Sequence, residues 1–232
     1  MSSATTRSVT LRVARPQRSE QWQEYTVPIE EHYTVVDCLE YIRGHLDPTL
    51  LFRHSCHHGS CGTCGMVING RQQLACLARV TELEQPITVS PMVTMNHIGD
   101  LAVDPTPLFR HFPKQADYLR PSEFNRDSVP PEEVSQYHRF ENCIECGLCV
   151  SACPVISQDA FMGPAALAAY NRELEKNPHR ADELLPEVAG ADGASRCDRH
   201  LSCSAVCPTG VYPAKHIVQL QKKIKQWQEQ TS

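Results

Sequence analysis

Eleven of the twelve cysteines fall into three tight groups, and no other feature restricts the fold of this chain as strongly. The first group is Cys56-x4-Cys61-x2-Cys64, with Cys76 following in CHHGSCGTCGMVINGRQQLAC. The second is Cys143-x2-Cys146-x2-Cys149-x3-Cys153-Pro154, and the third is Cys197-x5-Cys203-x3-Cys207-Pro208. The first spacing is that of a plant-type [2Fe–2S] site, and the second is the bacterial ferredoxin run. A chain that carries both reads as an electron conduit.

The rest of the composition narrows the classes. The net charge is −5, and no Lys/Arg block interleaved with aromatics occurs, so nucleic acid is not an expected partner. The N-terminal MSSATTRSVTLRV lacks an apolar signal-peptide core, and no stretch nears the ~20 apolar residues of a membrane span. Any membrane association is therefore expected to pass through a partner. In a reducing compartment, clustered thiols read as metal ligands rather than disulfides.

Periodicity divides the chain near residues 100–106. Ser8–Arg15 and Gln23–Ile29 alternate like paired strands. Val35, Leu39, Ile42 and Leu46 recur at helical spacing behind Thr34 as N-cap, with Pro48 beyond the end. Gly65–Ile68 and Arg71–Cys76 flank Asn69-Gly70, a hairpin signal, and Ile87–Ser90 reads as a last strand. Strands around one helix and a Cys-rich loop describe a β-grasp, plant-type ferredoxin domain over residues 1–105. Residues 106–232 are expected to form a mostly helical, two-cluster ferredoxin-like domain. They open with a Pro-rich polar segment that holds short helices at most. Pro164–Glu175 has Pro at a helix N1 position. Pro213–Gln228 sets Ile217, Leu220, Ile224 and Trp227 on one stripe. The fold class is α+β.

Four thiolates of one shell fit two irons and two sulfides, which assigns Cys56, Cys61, Cys64 and Cys76 to the [2Fe–2S] cluster. Zinc knuckles usually repeat C-x2-C instead. In two-cluster ferredoxins the fourth cysteine of each run serves the other cluster. That rule groups Cys143, Cys146, Cys149 and Cys207 around [4Fe–4S], and Cys153 with Cys197 and Cys203. The latter set has His200 where the second group has Cys146. Two readings stay open at that position: [3Fe–4S] on three thiolates, or [4Fe–4S] with His200 as the fourth ligand. Elsewhere, Cys38 reads as a buried core thiol. His54, His57 and His58 crowd the first loop without being cluster ligands. Thr63 and Ser60 are candidate hydrogen-bond donors to cluster sulfur. Lys222, Lys223 and Lys225 read as a solvated helix face. No catalytic triad, carboxylate pair or phosphate loop is visible, so no catalytic site is expected on this chain.

Taken together, TVVDCLEYIRGHLDPTLLFRHSCHHGSCGTCGMVINGRQQLAC, IGDLAVDPTPLFRHF, CIECGLCVSACP with FMGPAAL, and CSAVCPTGVYP resemble the iron–sulfur subunits of succinate dehydrogenases and fumarate reductases. The resemblance covers nearly the whole chain. It implies a [2Fe–2S], [4Fe–4S], [3Fe–4S] wire between a flavoprotein subunit carrying FAD and a membrane-anchor subunit with quinone or haem. Succinate and fumarate would interconvert at the flavoprotein. The implied location is peripheral, at the cytoplasmic face of the inner (plasma) membrane. Three departures point toward the fumarate-reductase side: Cys64 where some succinate dehydrogenases carry Asp, no Trp in Val155–Gly163, and Asp198 after Cys197. The ubiquinone-site residues of the family therefore do not carry over. Competing readings are the iron–sulfur subunit of a related flavoenzyme with a non-quinone (thiol) donor, and a free ferredoxin-like carrier.

Overall fold

The computed structural model describes residues 7–18, 21–114, 142–156 and 160–231. The chain forms two compact units: Met1–Pro107 together with Ile144–Ser151, and Leu108–Cys143 together with Ala152–Ser232.

The first unit is built on a five-stranded sheet of β1 (Ser8–Ala14), β2 (Trp22–Pro28), β3 (Gly65–Ile68), β4 (Arg71–Leu74) and β5 (Ile87–Ser90), in the order β2-β1-β5-β3-β4. β1 runs parallel to β5, and the other neighbours are antiparallel. Alternation gives the sheet its buried face: Val9, Leu11, Val13, Met66, Ile68, Ile87 and Val89 are all buried. The β3–β4 turn follows the sequence expectation. Asn69 and Gly70 have φ of 47° and 76°, as a type I′ turn requires. Asn69 Oδ1 also accepts the Thr88 N–H at 2.7 Å, which ties the turn to β5.

The helix α1 (Val35–Tyr41) starts where Thr34 predicts, with the Thr34 N–H donating to Asp37 Oδ2 at 2.8 Å. Its first N–H groups, from Val35 and Val36, donate to the Ala78 and Ala75 carbonyls at 2.9 and 3.2 Å. The expected stripe fails at its end. Ile42–Leu46 is wound as a π-turn, and Leu46 is 48% exposed. The wider turn carries Leu46 past the buried face that an α-helical period would give it. A second hairpin, β6 (Asn96–Gly99) and β7 (Ala102–Asp104), was not expected. Three of the four residues of β6 are exposed, so it carries no alternation to read.

Arg15 is fully buried at the end of β1 and organises the approach to the first cysteine loop. Nε donates to Asp100 Oδ1 at 2.7 Å, Nη1 to Asp47 Oδ2 at 2.6 Å, and Nη2 to Thr49 Oγ1 at 3.0 Å. Asp100 Oδ2 in turn accepts the Leu51 N–H at 2.8 Å. Burial alone would lower the Arg15 pKa, but the bonds to Asp100 and Asp47 outweigh it and raise it. Asp47 is held below the usual carboxylate range, mainly by its Thr49 hydroxyl donor and then by Arg15.

The four-residue helix α2 (Thr106–Phe109) matches the expectation of short helices after residue 105, and most of the segment that follows lies outside the described residues. In the first unit, α3 (Leu148–Ser151) carries Cys149. The second unit holds α4 (Pro164–Lys176), α5 (Ala181–Val188), α6 (Ser202–Ala205) and α7 (Pro213–Thr231). Leu167, Tyr170, Leu174, Leu184, Val188 and Leu220 share one core. Pro164 opens α4, as predicted. Trp227 is half-buried against the core and donates Nε1–H to Asp182 at 3.0 Å. Lys223 corrects the solvated-face reading: its Nζ donates to Asn171 Oδ1 at 2.9 Å and is half-buried. Asn171 is fully buried on α4, so its carbonyl oxygen draws the ammonium in from the helix surface.

Arg15→Met should destabilise the iron-loaded protein by about 3–5 kcal/mol, because it leaves the Asp47 and Asp100 carboxylates without their buried cation. Denaturant unfolding would measure this; a change within about 0.5 kcal/mol would show that the network adds nothing.

Candidate metal centres

In the first unit, the loop after Arg53 winds back on itself through left-handed residues, His57 at φ 60°, Gly59 at 75° and Gly62 at 71°. This curl points backbone donors at one sulfur. Cys56 Sγ accepts N–H groups from His58, Ser60 and Cys61 at 3.5, 3.2 and 3.3 Å. These bonds, His58 first, draw the Cys56 thiol down to about 6. Thiolate is thus the favoured form at neutral pH, and it is the form that ligates metal. Thr63 Oγ1 lies 3.2 Å from Cys61 Sγ, in keeping with its expected role. For Ser60 the donor is the backbone N–H.

The other two thiols of the group are buried, Cys64 at 3% exposure and Cys76 at 5%. Burial pushes Cys64 up to about 12, so a proton leaves it only when a cation replaces it. Side-chain contacts pair Cys56 with Cys61 and Cys64 with Cys76. Four thiolates on one zinc would all stand about 3.8 Å apart, given Zn–S bonds of about 2.3 Å. Here, among the described residues, no three cysteine sulfurs lie within 4.8 Å of one another. Two pairs suit two irons, and the donor set fits a [2Fe–2S] group better than one zinc ion.

The segment Ile144–Ser151 packs against this loop, within the same unit. A Cβ on Gly62 would stand 2.4 Å from the Ile144 carbonyl oxygen, and one on Gly65 3.1 Å from that of Cys146. Ser151 anchors the segment, accepting Gln72 Nε2 on its carbonyl at 3.4 Å and the Val93 N–H on its hydroxyl at 3.3 Å. Cys146 and Cys149 are thereby held beside the first loop.

In the second unit, Cys143 and Cys207 both pack on Ala168, Ala169 and Val211. Cys207 Sγ accepts the Val211 N–H at 3.3 Å. Cys153, Cys197 and Cys203 line one cavity of about 50 Å³ with His200 on its wall. Burial raises the Cys153 and Cys203 thiols, and their mutual proximity with Cys197 adds to the shift. The partial internal repeat is visible in the backbone. Glu145 and Gly147 flank Cys146 with φ of 54° and 75°; Arg199 and Leu201 flank His200 with φ of 58° and 62°. His200 therefore occupies the backbone position that Cys146 holds in the second group.

Cys38 is fully buried in α1, with its thiol pushed up to about 12 by burial, as a core residue should be. His54 and His57 do not join the cysteines. They meet Glu40 of α1, with ligand atoms of all three within 4.8 Å of one another. Burial and the neighbouring Arg43 and His57 outweigh Glu40 and lower the His54 pKa.

Comparison with known proteins agrees with this geometry. Residues 9–110 match the 2Fe-2S iron-sulfur cluster binding domain family, and residues 139–211 match the 4Fe-4S dicluster domain family. The fumarate reductase iron-sulfur subunit of Mycobacterium tuberculosis is 40% identical over 201 residues, covering 83% of this chain and 81% of that one. Its counterpart in Haemophilus influenzae is 30% identical, covering 84% and 83%. The chain belongs to the iron–sulfur subunits of the fumarate reductase/succinate dehydrogenase family. As such it is an electron-transfer subunit, with an N-terminal β-grasp [2Fe–2S] domain and a helical [4Fe–4S] dicluster domain. A succinate dehydrogenase [ubiquinone] iron-sulfur subunit of Oryza sativa is 31% identical, covering 81% and 70%. The fold is shared with a chain of the Mycobacterium smegmatis Sdh1 complex in the apo form, at a TM-score of 0.76, 23% identity and 95% and 96% coverage. Among the described residues, no helix is long and apolar enough to cross a membrane.

Thr63→Val should lower the [2Fe–2S] midpoint potential by on the order of 30 mV, because it removes a hydrogen bond that favours the more negative, reduced state. Redox titration followed by electron paramagnetic resonance would measure it. An unchanged potential would mean that the hydroxyl does not donate to the Cys61 sulfur.

Proposed function

We propose that this iron–sulfur subunit passes electrons between an FAD-containing flavoprotein subunit, where succinate and fumarate interconvert, and a membrane-anchor subunit with quinone. In this reading Cys56, Cys61, Cys64 and Cys76 hold [2Fe–2S], and Cys143, Cys146, Cys149 and Cys207 hold [4Fe–4S]. Cys153, Cys197 and Cys203 hold [3Fe–4S]. The subunit sits peripherally at the cytoplasmic face of the inner (plasma) membrane, held there by its partners. When bound, the clusters supply one-electron redox steps that no side chain of this chain could supply.

The residues supply what surrounds those steps. Cys56 offers a thiolate already favoured by three N–H donors. Cys64 and Cys76 exclude water by their burial. The Ile144–Ser151 segment holds Cys146 and Cys149 against the first loop.

The single observation that carries the three-iron assignment is the repeated backbone around Cys146 and His200. The repeat supports a site of three thiols with an imidazole where the fourth would stand, and His200 is exposed. Thiolate is the usual cubane ligand, and a corner without one tends to lose its iron.

His200→Cys should add a fourth iron and replace the three-iron signal of the oxidised protein with a [4Fe–4S] signal on reduction. Iron analysis and electron paramagnetic resonance on the purified complex test this. A three-iron spectrum unchanged in the variant would show that residue 200 does not mark the vacant corner.

A further inference from the structure

Among the described residues, the cluster sites leave one group of ligating side chains unused: Glu40, His54 and His57, where α1 meets the first cysteine loop. We propose that these three side chains form a binding site for one divalent cation of the zinc class, separate from the iron–sulfur ligands. Two ligands on one tetrahedral zinc, each at about 2.0–2.1 Å, stand about 3.3–3.4 Å apart. The His54 Nδ1 to His57 Nε2 distance is 3.2 Å, and His57 Nε2 lies 3.6 Å from Glu40 Oε1. The other nitrogen of His54, Nε2, lies 3.5 Å from Glu40 Oε1, so each ring nitrogen of His54 has one edge of about tetrahedral length, and the three ligand atoms together fall within 4.8 Å. Two imidazoles and one carboxylate are a common zinc donor set and leave the fourth position to water.

Two neighbours bear on the site. Asp37 Oδ1 lies 3.9 Å from His57 Nδ1, one helical turn from Glu40, so a carboxylate stands behind the ligating ring. At 3.9 Å it makes no hydrogen bond, but its negative charge favours a cation on the ring. Arg43 acts against the cation. Its Nη2 donates to His54 Nε2 at 2.9 Å, and its guanidinium is held 4.4 Å from the Phe52 ring centroid. A guanidinium only donates, so this bond fixes the proton of neutral His54 on Nδ1, facing His57. A cation on Nε2 displaces Arg43 directly, and one on Nδ1 sends the proton to Nε2, so Arg43 withdraws in either case. His54 and His57 lie two residues before and one after Cys56, so a bound cation adds positive charge beside the first cluster. That charge favours the reduced cluster.

The site does not depend on how the three clusters are assigned. The test is a zinc titration of the purified, iron-loaded, chelator-washed complex, with bound zinc counted by equilibrium dialysis and its neighbours read by zinc-edge X-ray absorption. One zinc per chain is expected, with nitrogen and oxygen neighbours and no sulfur. Glu40→Gln and His57→Gln should each weaken it at least tenfold, and Arg43→Leu should tighten it several-fold. Iron content and cluster absorption should not change with zinc. Glu40 lies on the helix outside the cysteine loop, so Glu40→Gln carries the test should His57→Gln disturb the cluster. Sulfur neighbours, no binding, or binding indifferent to Glu40→Gln would overturn the proposal.

Discussion

At Gly62 a Cβ would stand 2.4 Å from the Ile144 carbonyl oxygen, and at Gly147 one would stand 2.1 Å from Met95 Cε. The loop carrying Cys61 and Cys64 approaches the segment carrying Cys146 and Cys149 this closely because Gly62 lacks a side chain, and Gly147 leaves the room that the Met95 side chain fills. Both glycines also sit at positive φ, at 71° and 75°, so the tight curl and the close approach make the same demand on sequence. Electron transfer weakens steeply with distance, and the short gap between two cysteine loops is therefore the feature on which the subunit's use as a conduit rests.

The same loop divides its thiols by environment. Cys56 is half-buried and is drawn to about 6 by backbone donors, whereas Cys64 is buried and pushed to about 12. One end of the group thus favours thiolate before metal arrives, and the other binds only as iron displaces its proton. The Arg15 network holds Asp47, Thr49 and Leu51 at the entry to this loop, so the loop's shape depends on β1.

Much of this was legible in the sequence. Cysteine spacing points to a [2Fe–2S] domain and a [4Fe–4S] dicluster domain, and the matched families agree. Alternation revealed β1 and β2 as a pair, and Asn69-Gly70 revealed the hairpin. The exceptions have physical causes. The π-turn at Ile42–Leu46 breaks a period that assumed 3.6 residues per turn. Helix α5 contains Pro186, which reads as a breaker, yet it closes the second core through Leu184, Leu185 and Val188. Arg15 meets Asp100, 85 residues away, and no local pattern encodes that pairing. The meeting of Glu40 with His54 and His57 is hidden for the same reason, since it joins a helix to a loop.

The central claim is that three distinct iron–sulfur centres lie on this chain, the third of them short of one thiolate. Stepwise reduction of the purified complex, followed by electron paramagnetic resonance with iron and zinc analysis, tests it most directly. The account predicts one [2Fe–2S] species, one [4Fe–4S] species and one three-iron species that is paramagnetic already in the oxidised state. Two [4Fe–4S] species would make His200 a ligand and contradict the third assignment, and zinc in place of iron would contradict the account as a whole.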